Sequence, residues 1–239
     1  MTQPLRITPP HGYDEIVPLQ RNHRVLLRHG TTPGFCRSIN ALAVSYAEFV
    51  AASRDYPIVF ASTDNGSTFA PVVVLGLARG QNLFLTAQGD WDPGTYVPAF
   101  VRRYPFCVTK VYVDGVPRGE RMVCVAKAHI EANGTRLFDD SGAPAREWTA
   151  IEQLLSEYEA DLDLTAQMCA TFAKLGLFSP FQFQVIESAS PGLTLEGMFR
   201  IDEAKLLALK PLSMKALVTR GLMGRIYAHF HSLENFARL

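Results

Sequence analysis

The chain has 239 residues, of which 48% are hydrophobic and 19% are charged, and this composition excludes the intrinsically disordered class. Lysine and arginine together number 23, as do aspartate and glutamate, so no net charge attracts the chain to nucleic acid or to an anionic membrane. Any electrostatic choice of partner must therefore come from local patches. The length favours a single domain over residues 1–239, with an extended arm at 1–12, and two small domains are the alternative.

Targeting signals and cysteine spacing both bear on the compartment in which the chain works. The first ten residues lack the basic region and apolar run of a secretory signal, and no stretch reaches the roughly 18 apolar residues that span a membrane. We therefore predict a cytoplasmic protein without a membrane span. Four widely spaced cysteines without a CxxC pair predict buried thiols rather than a disulfide or zinc framework: Cys36, Cys107, Cys124 and Cys169.

The N-terminal half, residues 13–128, is predicted to be rich in strands, because its apolar runs are short, β-branched and interrupted by glycine and proline. A short helix is predicted over residues 46–54 with Ser45 as its N-cap. The continuous apolar runs at 56–60 and 71–77 predict strands at the centre of a sheet, where both faces are covered.

Still within the N-terminal half, a turn at residues 79–80 predicts a hairpin into 82–85. The apolar period changes in the second half of the chain. Further on, Thr149 and Glu152 have capping-box spacing and predict the start of a long helix. Gly176 is well placed to end that helix, because glycine adopts the left-handed conformation most readily.

A strand and two closing helices complete the predicted elements. Residues 181–187 alternate apolar and polar side chains, which predicts a strand with one solvated face. Helices are predicted over 202–210 and 213–239, with Asp202 and Ser213 as their N-caps. The break within the last segment is left open by Gly221 and Gly224. The predicted fold class is α+β, with a mixed sheet in a strand-rich N-terminal half and a helical C-terminal half packed on it.

A succession of short motifs resembles the SapC family of bacterial proteins over nearly the whole chain. The motifs are YPIVF at 56–60, GL at 76–77, QNLF at 81–84, GDW at 89–91, YVPAFVRRYPF at 96–106 and FRIDEAKL at 199–206. The resemblance implies an association with bacterial surface layers, from which the family takes its name, or with nutrient-uptake loci. It carries over no catalytic residue and no cofactor.

Seven polar and aromatic residues between positions 82 and 104 are the candidate binding site. Tryptophan and tyrosine rings stack on sugars or cations, and arginine binds carboxylates or phosphates. The structural alternative is that Trp91 and Tyr96 fill the core while the arginines pair with acidic neighbours. The candidate ligand-binding residues are Asn82, Asp90, Trp91, Tyr96, Arg102, Arg103 and Tyr104.

The histidines near the C-terminus do not predict a metal site. His229 and His231 lie two positions apart, and on a helix their side chains point in directions about 200° apart. His231 with Glu234 has the spacing of a surface pair, and His129 could join these residues only through folding. No HExxH, GxSxG, Walker or GxGxxG motif is present, which lowers the expectation for the common enzyme classes.

Three functions remain open from the sequence. The leading hypothesis is a non-enzymatic cytoplasmic binding or accessory protein for a small anionic or sugar-like ligand or a protein partner. The competing hypothesis is an enzyme, metal-dependent in one form, whose site is assembled from Asp90, His129, His229 and His231. A self-assembling structural protein is the third, although no repeated edge-forming strands are visible.

Overall fold

The computed structural model describes residues 7–27, 30–64, 66–113, 116–184 and 194–239, and only the backbone of 110–113 and 116–120. Sheets and helices are both present, so the prediction of an α+β protein is confirmed. Contacts between residues divide the chain into two compact units. Unit one comprises the chain up to Cys36 together with Val101–Glu159, and unit two comprises Arg37–Phe100 together with Ala160–Leu239.

The elements alternate along the chain rather than separating fully into a strand half and a helix half. In chain order the strands are β1 (Ile16–Pro18), β2 (Arg24–Val25), β3 (Ala41–Ala43), β4 (Ile58–Ala61), β5 (Ala70–Val74), β6 (Phe106–Val113), β7 (Val116–Ala126), β8 (Thr135–Arg136), β9 (Phe178–Gln184) and β10 (Thr194–Ile201). The helices are α1 (Phe49–Ala52), α2 (Ala99–Arg102), α3 (Arg146–Lys174), α4 (Glu203–Leu207), α5 (Pro211–Thr219) and α6 (Met223–Ser232).

Unit one is built around the antiparallel sheet β1-β7-β6 and the two-stranded ladder β2-β8. Trp148, at the start of α3, contacts Phe106 of β6 edge to face with ring centroids 5.7 Å apart. Of the predicted arm, the described part contains a turn at Gly12, and residues 1–6 lie outside the described residues. The buried core of unit one consists of Val25, Phe106, Val125, Leu137, Trp148 and Leu155.

Unit two contains a five-stranded sheet in the order β3-β5-β4-β10-β9. The predicted central strands are confirmed, since β4 takes the middle position with β5 beside it. Phe60 of β4 contacts Phe172 of α3 and His229 of α6 on one face. Val59 belongs to a second cluster with Val74 and Phe236 on the other face, so β4 is buried on both sides.

Every strand pair that the structure describes is antiparallel, whereas the continuous apolar runs predict a mixed sheet. The prediction was wrong in direction because an apolar run reports burial on both faces and not the orientation of its neighbours. The hairpin predicted at 82–85 is also wrong. Gly80 does turn, with a φ of 76°, but only Leu85 forms a bridge, to Trp91.

Two predicted helix starts differ from the observed ones for local reasons. The long helix α3 begins at Arg146, and the Thr149 hydroxyl donates to the Ala145 carbonyl inside the first turn instead of capping it. The helix α5 begins at Pro211, because proline is pre-organised for the first helical position, and Ser213 is therefore not its cap. Asp202 is confirmed as the cap of α4, where it accepts from the Lys205 amide.

Within the described residues, no helix combines the length and the apolar character needed to cross a membrane. All four cysteines are buried and free, and burial raises the pKa of each thiol, to about 11 at Cys124 and about 12 at Cys36, Cys107 and Cys169. The prediction of buried thiols is confirmed, and such thiols are poor nucleophiles.

Candidate functional site

Trp91 is buried in unit two. Its indole Nε1 donates to the Tyr56 hydroxyl at 2.9 Å, and the two rings meet edge to face with centroids 6.5 Å apart. The Tyr56 hydroxyl in turn donates to the Tyr96 carbonyl. An indole held in this way fills the interior, and its face is not presented to solvent for stacking on a sugar.

The Tyr96 side chain is directed to a buried carboxylate, that of Glu48. Glu48 Oε1 accepts from the Tyr96 hydroxyl at 3.0 Å and from the Ala99 amide at 2.6 Å. Glu48 Oε2 accepts from both the amide and the hydroxyl of Ser45, each at 2.8 Å. Four donors therefore satisfy one carboxylate that is almost fully buried.

Asn82 and Asp90 form turns in the same unit. The Asn82 side-chain oxygen accepts from the Phe84 amide at 3.0 Å, which closes a short Asx turn. Asp90 is exposed, and its backbone exchanges hydrogen bonds with Thr86 at 2.8 and 3.3 Å. These hydrogen bonds lie within local turns, and none of them joins two of the seven candidate residues.

The remaining three predicted residues, Arg102 to Tyr104, belong to unit one. Arg102 is exposed at the end of α2, whereas the Arg103 side chain is only 5% exposed. The Arg103 guanidinium lies 3.9 Å from a Glu159 carboxylate oxygen and 4.7 Å from the centre of the Tyr158 ring. The two adjacent arginines thus differ in burial.

Tyr104 and His129 line a cavity of about 110 Å³ in unit one. The rings of Tyr104 and His129 are perpendicular, with centroids 4.9 Å apart. The His129 carbonyl accepts from the Leu26 amide at 2.8 Å, which fixes the backbone beside the ring. The rest of the lining is Thr31, Thr32, Pro33, Gly34 and Pro105. We name this cavity, defined by these seven residues, the Tyr104 cleft.

An aromatic cluster supports the Tyr104 cleft from within the same unit. The Tyr104 ring centroid lies 5.1 Å from that of Tyr13 and 5.7 Å from that of Phe35. The Tyr13 hydroxyl donates to the Phe106 carbonyl at 2.8 Å. Burial raises the pKa of Tyr13 well above its ordinary value, and the nearby Arg103 guanidinium opposes this shift only in part. Tyr13 is therefore a neutral hydrogen-bond donor at physiological pH.

A second depression, of about 300 Å³, shares Tyr104 with the cleft. It is bordered by Asp14, Glu15 and residues 126–128, and Lys127 forms an ion pair with Glu15 at 2.9 Å. Two carboxylates against one lysine make this depression unsuited to an anion. Among the described residues, the lining of the Tyr104 cleft includes no aspartate, glutamate, lysine or arginine, and its hydroxyl and imidazole groups suit a polar ligand.

The C-terminal histidines have different environments. His229 is fully buried: its Nδ1 donates to the Ile58 carbonyl at 2.8 Å and its Nε2 accepts from the Ile201 amide at 3.1 Å. Burial lowers the pKa of His229 to about 4, and the Arg200 charge adds to this effect. His231 is exposed on the same helix. The part of the chain that the structure describes contains no group of three or more His, Cys, Asp or Glu residues able to hold a metal.

Sequence reasoning missed Glu48 as a buried polar residue and Thr31 and Thr32 as lining residues. The spacing of Ser45 and Glu48 is that of a capping box, so the sequence did contain a signal for Glu48. The threonines follow no motif, and only the fold brings them beside His129.

Comparison with known proteins gives one result. Residues 20–239 match the sequence profile of the family described as SapC. Neither the curated proteins nor the solved structures provide a match to the chain.

Proposed function

The chain belongs to the SapC family, and from that premise we propose that it is a non-enzymatic binding or accessory protein that takes a small ligand in the Tyr104 cleft. The observation that carries the proposal is the meeting of Tyr104 and His129 at one concave surface, beside two threonine hydroxyls. Aromatic and hydrogen-bonding groups that converge in a cavity are the usual composition of a ligand site.

The size and lining of the cleft define the class of ligand. A volume of about 110 Å³ is below the several hundred Å³ of a site for a drug-sized molecule, so the cleft takes a small ligand or one end of a larger one. Tyr104 is the lining residue beside which a sugar-like ring can pack, and the threonine, tyrosine and histidine side chains of the lining are of types that form hydrogen bonds with such a ring. A small anion is the second class, since hydroxyl and imidazole N–H groups can donate hydrogen bonds to it.

The proposal also covers the compartment and the biological role of the protein. We propose that the protein acts in the cytoplasm, and that it serves nutrient uptake or surface-layer biology, as the resemblance to the SapC family implies. The scaffold of the site is unit one, with its sheet β1-β7-β6 and the buried core around Phe106. Asn82, Asp90, Arg102 and Arg103 stay predicted ligand-binding residues, whereas the contacts of Trp91 with Tyr56 and of Tyr96 with Glu48 favour the structural alternative for those two.

The competing enzyme hypothesis is weakened by the contacts of one of its members. Both ring nitrogens of His229 are bonded to the backbone of two strands, so this residue cannot act as a base or a metal ligand without opening the core. Elemental analysis of the purified protein tests the metal-dependent form, since stoichiometric zinc or iron would favour that form over a simple binding protein.

The experiment is an amide NMR titration with glucose, N-acetylglucosamine, acetate and phosphate as separate probes. We expect one of these to shift the amides of Thr32, Gly34 and His129 in a saturable way. The variant Tyr104→Ala should weaken that probe's binding by about tenfold, the effect of losing one stacking and hydrogen-bonding group.

The matched control is Tyr227→Ala, which removes a half-exposed tyrosine of α6 from unit two. This variant should leave the titration unchanged. The proposal fails if none of the four probes shifts the cleft amides, or if the shifts survive Tyr104→Ala in a protein whose spectrum is otherwise that of the folded chain.

A further inference from the structure

The segment from residue 204 to residue 233 has an unusual charge pattern for a chain whose charges balance. It contains five basic residues and no acidic residue, although the whole chain has 23 of each kind. The segment includes most of α4 together with all of α5 and α6. Positive charge is therefore concentrated locally on unit two. The basic residues are Lys205, Lys210, Lys215, Arg220 and Arg225.

The same segment exposes its largest aliphatic side chains. Leu207 of α4 is 72% exposed, and Leu212 and Val218 of α5 are 82% and 60% exposed. The core contacts of these helices are made instead by Leu206 and Leu217, which are 2% and 1% exposed. The outward faces thus carry apolar groups that the fold itself does not need.

Helical geometry joins these side chains to the lysines. Leu212, Lys215 and Val218 follow one another at a spacing of three residues, so they form a continuous stripe on α5. Leu207 precedes Leu212 by five residues, which limits the distance between their Cα atoms to about 18 Å. Lys210 lies between the two leucines. We name these five residues, Leu207, Lys210, Leu212, Lys215 and Val218, the leucine–lysine corner.

The two lysines of the corner are available for an external anion. Lys210 and Lys215 are exposed, and neither forms an ion pair with any residue within the described ranges. In contrast, Lys205 donates to the Phe178 carbonyl at 2.7 Å, and Arg220 donates to the Thr171 hydroxyl at 3.1 Å. Lys210 and Lys215 therefore lie among the exposed aliphatic residues of the corner in sequence. Lys205 and Arg220, which flank the corner, are hydrogen-bonded to other residues of unit two.

We infer that the leucine–lysine corner binds the surface of an anionic lipid bilayer. Aliphatic side chains beside lysines are the composition of helices that lie in a membrane interface, where the apolar tips enter the acyl region and the lysines meet anionic headgroups. The corner is less suited to a protein partner, because lysine is depleted from protein interfaces and leucine is under-represented among the residues that dominate their affinity.

This surface is separate from the Tyr104 cleft, which belongs to unit one. Membrane attachment would be peripheral, since it uses side chains on two short helices rather than a spanning segment. Two lysines and three aliphatic side chains give a reversible association that weakens as salt screens the headgroups.

The test is co-sedimentation of the full chain with vesicles of phosphatidylcholine alone or mixed equally with phosphatidylglycerol. At about 100 mM salt we expect binding to the mixed vesicles to exceed binding to the neutral ones by about tenfold. The double variant Leu207→Ser/Leu212→Ser and the double variant Lys210→Gln/Lys215→Gln should each reduce binding to the mixed vesicles by about fivefold or more.

Leu164→Ser is the matched control, because Leu164 is another exposed leucine, at 45%, on a helix that contributes to unit two, and it is not part of the corner. It should bind the mixed vesicles as well as the parent chain. All the changed side chains are exposed, so circular dichroism should show folded proteins. Equal binding to both vesicle types, or binding that both double variants retain, overturns the inference.

A protein partner gives a different result in the same preparations. If the parent chain ignores both vesicle types and sediments as a dimer, while Leu207→Ser/Leu212→Ser sediments as a monomer, the corner is covered by a second copy and not by a bilayer. That outcome also overturns the inference.

Discussion

At the scale of single residues, His229 connects α6 to two strands of the sheet in unit two. Its Nδ1 donates to β4 and its Nε2 accepts from β10, so the ring is neutral and holds its proton on Nδ1. Protonation of Nε2 would place a second donor opposite the Ile201 amide hydrogen. The ring therefore stabilises the sheet only in its neutral form.

This arrangement predicts a stability change with pH. The pKa of His229 is about 4 in the folded chain and about 6.5 when unfolded. Between these values the unfolded state binds more protons, so the free energy of unfolding should fall as the pH drops from about 6.5 to about 4, by roughly 3 kcal/mol in total. Urea denaturation at a series of pH values measures it. In parallel, the His229 imidazole resonances should not titrate above about pH 5.

The control for the pH prediction is His231, two positions away and exposed on the same helix. His231→Gln should leave the slope of stability against pH nearly unchanged. His229→Gln removes the titrating group, so its stability should vary less with pH than that of the parent chain. A His229 resonance that titrates near pH 6.5 in the folded protein would contradict the prediction.

The polar residues selected from the sequence illustrate why a binding site is harder to predict than a core. Trp91 and Tyr104 both belong to an aromatic and arginine-rich stretch, yet Trp91 is buried against Tyr56 while Tyr104 lines a cavity. The sequence indicates that such residues are polar and large. Whether their polar groups face a ligand or an internal partner such as Glu48 is decided by long-range packing, which no local pattern encodes.

At the scale of elements, Gly176 after α3 and Gly224 at the start of α6 differ in backbone conformation. Gly176 follows α3 with a φ of 67°, and a Cβ atom built there would meet nothing within 4 Å. Gly224, in the first turn of α6, also has open space, but its φ is not positive. The two positions therefore separate the effect of backbone conformation from that of crowding.

We predict that Gly176→Ala lowers the free energy of unfolding by about 1 kcal/mol, because alanine is strained in the left-handed conformation. Gly224→Ala should raise it by up to about 1 kcal/mol, because alanine has the higher helix propensity and contacts nothing new. Urea denaturation of both variants measures the difference. Equal effects at the two positions would show that α3 does not end through the conformation of Gly176.

Elements with a local signal were predictable and those set by distant contacts were not. The cap at Asp202, the stop at Gly176 and the central strand β4 each have a signal within a few residues, and all three are confirmed. The direction of strand pairing is fixed by where the chain returns, and so the mixed sheet predicted from apolar runs was wrong. The strand predicted over 181–187 overlaps β9, but no strand is predicted at β10, which pairs with β4 across more than 130 residues.

At the scale of the whole molecule, the two compact units raise the question of whether they unfold together. The chain passes from one unit to the other after Cys36, after Phe100 and after Glu159. The last passage lies inside the continuous helix α3, which contributes residues to both units. Unfolding one unit would therefore remove part of a helix from the other, and this favours one cooperative transition.

The chain offers a direct measurement, because it has only two tryptophans and each belongs to a different unit. Trp148→Phe leaves Trp91 as the reporter of unit two, and Trp91→Phe leaves Trp148 as the reporter of unit one. We predict that in each variant the urea midpoint from tryptophan fluorescence coincides with that from circular dichroism, which follows all the helices. A fluorescence midpoint that differs from the circular dichroism midpoint in either variant would mean that the units unfold separately. The chain would then consist of two small domains, the alternative that its length already allows.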